Sequence, residues 1–424
     1  MLDIKFIREH KDIVKAAAQK KLLSIDIDQL LVLDEQRRAL IFAVDELRRT
    51  HKNASEKTSS LEGADRDAHI AGLKSAKDEL GHKEFELRAI EEEFNSLMLL
   101  VPNIPDLSVP EGASDADNQE IRQWGSPKNI VDLGGKDYMA LMRNFDMVDL
   151  ERGSKVSGFR GYFLKNDGAM LAFAIWRFVL DHLVKKGFVP VLAPSLVKRE
   201  NFMGTGWFPQ AEEDVYKVQD DLYLSGTAEV PMMGYHAGEV LTEEELPKKY
   251  VAFSPCFRRE IGSYSKDTKG IYRVHEFFKV EQVLLCRADH EESVRWHEEL
   301  TRNSEEMMQM LEIPYHVVLN CGGDLGLGQV KKYDIEGWLP SEGRYRETHS
   351  ASYFHDFQTR RLNIKYRTKE GDTRFLHSLN NTAIATPRML ESFLENHQNE
   401  DGSISIPEAL QPYLGKQRIE NKAS

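Results

Sequence analysis

The sequence predicts an α+β fold: an antiparallel β-sheet domain flanked by helices, preceded by a long antiparallel helical hairpin. Three observations lead there. Apolar residues recur every seven positions over two N-terminal stretches separated by a short polar break. Beyond about residue 250, short β-like runs mix with helical patterns without strict strand–helix alternation, which favours an antiparallel sheet. A length of 424 residues fits two or three domains.

The elements follow in order. Residues 1–24 read as a short helical segment, with Leu2, Phe6, Ile13 and Ala17 near helical spacing. From Ile27 onward Leu33, Leu40, Leu47, Ala54 and Leu61 keep a heptad register. After the polar stretch Glu62–Asp67, Leu73, Leu80, Leu87 and Phe94 do the same, and Ala76, Ile90 and Leu97 complete the second seam. A dimerising coiled coil would show the same heptads, but the short break favours self-pairing as a hairpin arm over about 27–100. A helix of about 35 residues spans ~50 Å, more than the core of a small domain. Pro102 and Pro105 end the arm, so 1–105 reads as one domain and 106–424 as a second.

Residues 106–165 read as a polar connector. Ala169–Lys186 has helical spacing, and Gly187–Pro194 switches to an extended pattern. Strands are predicted at Tyr250–Phe257, Tyr272–Leu285, Tyr315–Leu319, Tyr333–Leu339 and Arg361–Tyr366, with helices at 289–311 and 387–397. Trp207, Trp296 and Trp338 read as core.

Composition narrows the function class. Sixty-nine acidic against 56 basic residues give a net charge of −13, which argues against a surface that coats nucleic acid indiscriminately but leaves room for a local basic track. Cys256, Cys286 and Cys321 lie far apart, so neither a disulfide framework nor a Cys-rich zinc site is expected. No apolar run approaches the ~20 residues of a membrane span, and Asp3, Glu9 and Asp12 make the N-terminus unlike a leader. A cytoplasmic location is expected, with neither a membrane nor DNA as partner. No glycine-rich phosphate loop is present, so a nucleotide would be held largely by side chains.

The chemistry concentrates in two arms, Cys256–Gly262 and Ile271–Glu281. If both are strands, alternation places Arg258 and Glu260 on one face, and Arg273, His275, Phe277, Lys279 and Glu281 together on the facing arm. That surface offers guanidinium groups for phosphate, a ring for a base and carboxylates for an amine. Burying it without a ligand would be costly, because unpaired charges lose their hydration.

The pattern F-R-x-E, a loop, then R-x-x-x-F-x-x-x-E (within about 253–281) resembles motif 2 of the class II aminoacyl-tRNA synthetases. Gly187–Pro194 resembles motif 1 (about 187–196), with Pro194 where that family forms its dimer. Leu379–Leu390 resembles motif 3 (about 379–394), although Asn381, Ala383 and Pro387 stand where glycines are common. Within the class, the chain is similar over essentially its whole length to the bacterial seryl-tRNA synthetases. The hairpin, Thr227-Ala228-Glu229 followed by Val-Pro, the loop Gly262–Gly270, Lys332–Glu336, Arg346–Ser350 and Phe357–Ile364 all carry the resemblance. His349 and Tyr353-Phe354 depart from the run frequent in bacterial members.

The resemblance implies a two-step reaction: L-serine and ATP give seryl-adenylate, and serine then passes to the 3′-terminal adenosine of tRNA(Ser). tRNA(Sec) is a second candidate acceptor, Mg²⁺ the expected cofactor beside the substrate ATP, and a homodimer the expected assembly. Arg258, Glu260 and Arg388 are implied as catalytic. The ATP site would comprise Arg258 on the α-phosphate, Arg259, Glu260 on the adenine amino group, Val274, Phe277 stacked on adenine, Glu347, Thr348, His349, Ser350, and Arg388 on the γ-phosphate. Glu347 and Ser350 would hold Mg²⁺ through the phosphates. The serine site would comprise Thr227, Ala228, Glu229, Arg258, Glu281 and Thr382, and Arg37, Arg38, Arg48, Arg49 and Lys52 on the arm would meet tRNA. Two rival readings are a class II-like ligase loading a carrier protein, which has little use for the arm, and a non-catalytic derivative, which has little use for the charged residues.

Overall fold

The structure is a computed structural model and describes residues 1–58, 61–133, 135–261, 267 and 269–420. It comprises two compact units, one formed by Asp3–Gln19 and Leu23–Pro102, the other by Met1–Leu2, Lys20–Leu22 and the chain from Asn103.

In the first unit, α1 (Ile4–Glu9) and α2 (Lys11–Lys20) precede the long helices α3 (Ile27–Lys57) and α4 (Gly63–Leu100). Asp26 starts α3 by accepting the Gln29 amide at 2.9 Å. The seam is antiparallel: Arg48 bonds Glu84 at 2.7 Å, Arg37 lies 3.4 Å from Glu91, and His69 Nε2 is 2.8 Å from the Ala54 carbonyl. Leu30, Leu33, Phe94 and Met98 are buried near its base, and Val44 midway along it. Beyond the base Leu40, Leu47, Leu73, Leu80 and Leu87 are half-buried, because each helix there has only one neighbour to cover it.

The second unit is built on an eight-stranded sheet. Its strands, with only the elements used below labelled, are β1 (Gln119–Trp124), β2 (Val189–Leu192), β3 (Lys248–Phe257), β4 (Glu276–Cys286), β5 (Tyr315–Leu319), β6 (Lys331–Leu339), β7 (Arg344–His355) and β8 (His377–Thr386). The order is β1-β5-β6-β7-β8-β4-β3-β2. Every pairing is antiparallel except β2 with β3 at one edge. Helices α5 (Asn166–Lys185), α6 (His290–Met310) and α7 (Arg388–Asn396) join the same core, where Trp176, Val179, Leu300, Met307, Leu390 and Phe393 pack with Val280, Leu284, Tyr333, Tyr353 and Leu379 of the sheet. β4 and β8 are buried on both faces along most of their length.

Three sequence expectations need correction, and one strand went unread. The stretch 106–165 is more than a connector, since β1 within it forms one edge of the sheet. The second chemical arm becomes a strand only at Glu276, not at Tyr272. Arg361 and Leu362 end a helix, Phe357–Leu362, and only Lys365–Arg367 is extended. The long strand β7 had no periodic signal of its own, and its residues entered only through resemblance. The expected loop Gly262–Gly270 lies largely outside the described residues.

Candidate active site

A cleft of about 400 Å³ opens on the sheet over β4, β8 and the adjoining part of β7. Alternation along β4 sends Phe277, Lys279 and Glu281 into it. The register orders them: Phe278 pairs with Thr386, Glu281 with Thr382 and Val283 with Asn380, and Asn380 in turn pairs with Ser352 of β7. An aromatic end therefore grades into a buried polar end.

At the polar end Lys279 Nζ donates to Thr227 Oγ1 at 2.7 Å and forms an ion pair with Glu281. Thr227 Oγ1 is 3.4 Å from Glu281 Oε2. Glu229, at the start of the short helix Glu229–Gly234, accepts from Gln358 Nε2 at 2.6 Å and from Trp207 Nε1 at 3.4 Å. Burial pushes its carboxyl up to about 7; Gln358 opposes this and the nearby Glu281 adds to it. Ser378 holds the other end of the Gln358 amide at 2.7 Å.

Arg258 lies midway. Its guanidinium stands 5.7 Å from the Trp207 ring and 5.4 Å from that of Phe277, so two aromatic faces hold it. Among the described residues its buried Nε has no hydrogen-bond partner. Gly226 makes room, since a Cβ there would stand 3.2 Å from Arg258 Cγ. Beyond the strand ends the arms remain joined, with the Arg258 amide donating to the His275 carbonyl at 3.0 Å.

At the aromatic end Arg388, opening α7, stacks 4.3 Å from the Tyr272 ring and lies 3.4 Å from Glu347. Burial works to raise the Glu347 carboxyl, but Arg388, Lys332 and Arg258 together hold it below its ordinary value. The carboxylate sits deep yet keeps nearly half its side chain open to the cleft. Lys332 is 3.4 Å from Asp334 and 3.5 Å from Asp324.

Of the expected residues, the structure brings Thr227, Glu229, Arg258, Glu260, Val274, Phe277, Glu281, Glu347, Thr348, Ser350, Thr382 and Arg388 to one cleft wall. It does not bring Arg259, whose Nη1 donates outward to the Glu213 carbonyl at 2.9 Å. Ala228 is buried behind the wall. The His349 ring is turned into the core beside Thr348 Oγ1 at 2.8 Å, where burial pushes it down to about 4. The single shared face also fails in part. Arg273 leaves it to bond Glu260 at 3.1 Å and Asp267 at 3.0 Å, and His275 lines a separate recess with Tyr216 and Phe257. Glu260 has φ +55°, a left-handed turn that breaks strand alternation.

Trp207 packs against the buried cluster of Val197, Phe202 and Phe208 as expected, but it also lines the cleft, which sequence reasoning did not foresee; Gln358, Lys332, Tyr272 and the loop Gly326–Gln329 had been given no role. A glycine pair immediately before a strand was the available signal for that loop. On the arm, Arg38 and Arg49 pair with Asp34 and Glu46 at 3.1 and 2.7 Å, and Lys52 is exposed.

Two family models match: the seryl-tRNA synthetase N-terminal domain over residues 1–105 and the tRNA synthetase class II core domain (G, H, P, S and T) over 214–397. The serine–tRNA ligase of Deinococcus radiodurans is 45% identical over 421 residues, 99% of each chain. The chain belongs to the seryl-tRNA synthetase family. That of Thermodesulfovibrio yellowstonii is 42% identical over 98% of this synthetase and 99% of its own length. Among solved structures, seryl-tRNA synthetase from Pyrococcus horikoshii complexed with ATP superposes with a TM-score of 0.89 at 40% identity, covering 100% of both chains. The cytoplasmic serine–tRNA ligase of Naegleria fowleri in complex with AMP gives 0.87 at 32%, covering 100% of this synthetase and 99% of that chain. The family is one of ATP-dependent aminoacyl-tRNA synthetases. Among the described residues no helix is long and apolar enough to cross a membrane.

Proposed function

We propose that the cleft binds ATP and L-serine side by side, joins them as seryl-adenylate, and hands serine to the 3′-terminal adenosine of tRNA(Ser). The observation that carries the assignment is the order along β4 and β8: an aromatic and cationic end at Phe277 and Arg388, Arg258 midway, and the buried group Lys279, Thr227, Glu281 and Glu229 beyond. Phe277 stacks on adenine, Glu260 receives its amino group, and Val274 and Thr348 complete the nucleotide wall. Arg388 holds the γ-phosphate. Arg258, with a fork of donors facing the cleft, holds both the α-phosphate and the serine carboxylate.

A carboxylate oxygen of serine attacks the α-phosphorus and pyrophosphate leaves. The adenosine hydroxyl of tRNA then attacks the seryl carbonyl and AMP leaves. Neither step needs a covalent bond to the protein, so positioning and electrostatic stabilisation carry the rate. Glu229 and Thr227 hold the serine ammonium, while Glu281 and Thr382 read its hydroxyl. Alanine is rejected because those buried groups would be left unpaired.

Glu347 and Ser350 present hard oxygens on one wall, a small donor set that suits Mg²⁺ arriving with ATP and keeping water. When bound, the ion neutralises charge on the phosphates. Residues 1–105 act as the tRNA-binding domain and 106–424 as the catalytic domain. Arg37, Arg38, Arg48 and Arg49 exchange intra-arm carboxylate partners for phosphates, the exposed Lys52 adds a further contact, and tRNA(Sec) is a second acceptor by the same contacts. Met170, Phe173, Val189, Leu192 and Leu196, all exposed at or near the β2 edge, support a homodimer. The enzyme works in the cytoplasm.

Aminoacylation of a total tRNA pool, with every other amino acid as control and Arg258→Ala beside it, tests the reading. Charging with serine alone, lost in the variant, is expected. Adenylate formation without charging would favour a carrier-protein ligase, and neither activity would favour a non-catalytic protein.

A further inference from the structure

The loop Gly326–Gln329 closes the cleft beyond its polar end. Gln329 Nε2 donates to Ser352 Oγ at 2.8 Å, and Ser352, Asn380 and Val283 form one rank across the sheet. That rank lies two residues, about 7 Å, past the Glu281–Thr382 rank and away from Phe277. The loop therefore walls the amino-acid end and stands far from the adenine end.

Within the loop, the Gln329 amide donates to the Gly326 carbonyl at 3.2 Å and Gln329 Oε1 accepts from the Gly326 amide at 2.6 Å, which ties its two ends together. Its place against the cleft is set from outside, through its carbonyls. Lys21 Nζ, from the Lys20–Leu22 turn of the same compact unit, donates to the carbonyls of Gly326, Leu327 and Gln329 at 3.0, 2.9 and 2.6 Å. Asn103 Nδ2 takes the remaining one, Gly328, at 3.0 Å, together with Phe354 at 2.7 Å, and the Asn103 amide donates to Leu327 at 2.9 Å. Lys21 is 3% exposed, and among the described residues no carboxylate pairs with it. Three donors meeting three carbonyls account for a whole ammonium group. Taking a cation out of water costs several kcal/mol before any return, so it is a poor choice for mere stability. It is a good choice for fixing three carbonyls in one place.

We infer that Lys21 is a positioning residue which, with Asn103, holds Gly326–Gln329 as the end wall of the serine pocket and sets its depth, so that L-threonine, one carbon larger, is excluded. The inference rests on serine occupying the Glu281–Thr227 end.

Serine-dependent pyrophosphate–ATP exchange tests it, using Lys21→Met, which keeps the stem and removes the donors, Lys21→Arg, and Asn103→Ala. In Lys21→Met the KM for serine should rise about tenfold while the KM for ATP stays within about twofold. The serine-over-threonine ratio of kcat/KM should fall about tenfold, the scale set by one methylene in a pocket. Lys21→Arg should recover part of both, and Asn103→Ala should move both in the same direction. Glu281→Gln, run alongside, tests the serine assignment separately, because an unchanged serine KM there would remove the premise itself. Folded variants with wild-type serine KM and threonine rejection would overturn the inference. Equal loss toward serine and ATP, unrescued by arginine, would overturn it too. If Lys21→Met does not fold, Asn103→Ala, which leaves the charge intact, decides the matter.

Discussion

Glu229 offers the sharpest test of the serine site, because burial places its titration at about 7. The perturbation is Glu229→Gln, which keeps the shape and the bond from Gln358 or its reverse but removes the charge. In the unfolded chain this carboxyl titrates near its ordinary 4.5. Between the two values the folded protein holds a proton that the unfolded chain has lost. Stability from this group is thus fully present below about 4.5 and declines as pH rises to about 7, by roughly 3 kcal/mol across the window. Serine binding should run the other way, since its ammonium needs the anion. Below pH 7 the wild-type KM for serine should rise about tenfold per pH unit, and above 7 it should level off. A hydrogen bond to a charged group contributes about 1.5–3 kcal/mol, so at pH 8 the variant should show a serine KM about 10–150-fold higher. Near pH 5.5 the two proteins should converge. Pyrophosphate exchange at saturating ATP from pH 5.5 to 8.5 reads all of this. A wild-type serine KM that is flat from pH 6 to 8, or a variant penalty equal at both extremes, would refute the reasoning.

Three further outcomes are expected. Arg258→Ala should lower kcat for adenylate formation about 10²–10³-fold, the scale of one lost transition-state donor, measured by single-turnover kinetics. Phe277→Leu should raise the KM for ATP by about one to two orders of magnitude, because base stacking on an aromatic ring contributes about 1–3 kcal/mol, with the serine KM little changed in the same exchange assay. Arg48→Glu combined with Arg49→Glu should leave pyrophosphate exchange intact. It should weaken tRNA charging about tenfold and flatten its dependence on salt; their exposed ion pairs contribute little to stability, so the fold should persist.

The arm was legible because a heptad repeat sustained over two long stretches is the mark of paired helices and of little else. The helices His290–Met310 and Arg388–Asn396 followed from spacing alone. The strand β7 was not legible. Buried among other strands, it carries Glu347, Thr348 and Ser350 on a run whose polarity hides any alternation. The chemical arms were legible as residues but not as geometry. Strand alternation holds from Phe277 to Glu281 and fails at Glu260 and His275, where the hairpin leaves the sheet and turn geometry decides direction. Trp207 was legible as a core residue but not as a cleft residue, for a different reason. An indole suits a core and a cation platform equally well, and only the position of Arg258 distinguishes them.

The charge balance of the polar end carries one more consequence. Glu281 is answered by Lys279, but among the described residues Glu229 has only neutral partners, Gln358 and Trp207, within bonding distance. Opposite it, the buried Nε of Arg258 has no partner among the described residues. A pocket with a carboxyl lacking a cation and a guanidinium with a spare donor is complementary to a zwitterion. The ammonium of serine arriving beside Glu229 should favour the anion and expel the proton that burial retains. At pH 6.5 a group titrating at about 7 is roughly three-quarters protonated, so serine binding should release roughly that fraction of a proton per site. Titration calorimetry in buffers of different ionisation enthalpy measures the release directly. It should vanish at pH 8.5 and in Glu229→Gln. A binding enthalpy independent of buffer at pH 6.5 would mean that Glu229 does not face the ammonium, and the zwitterion would then have to lie the other way round in the cleft.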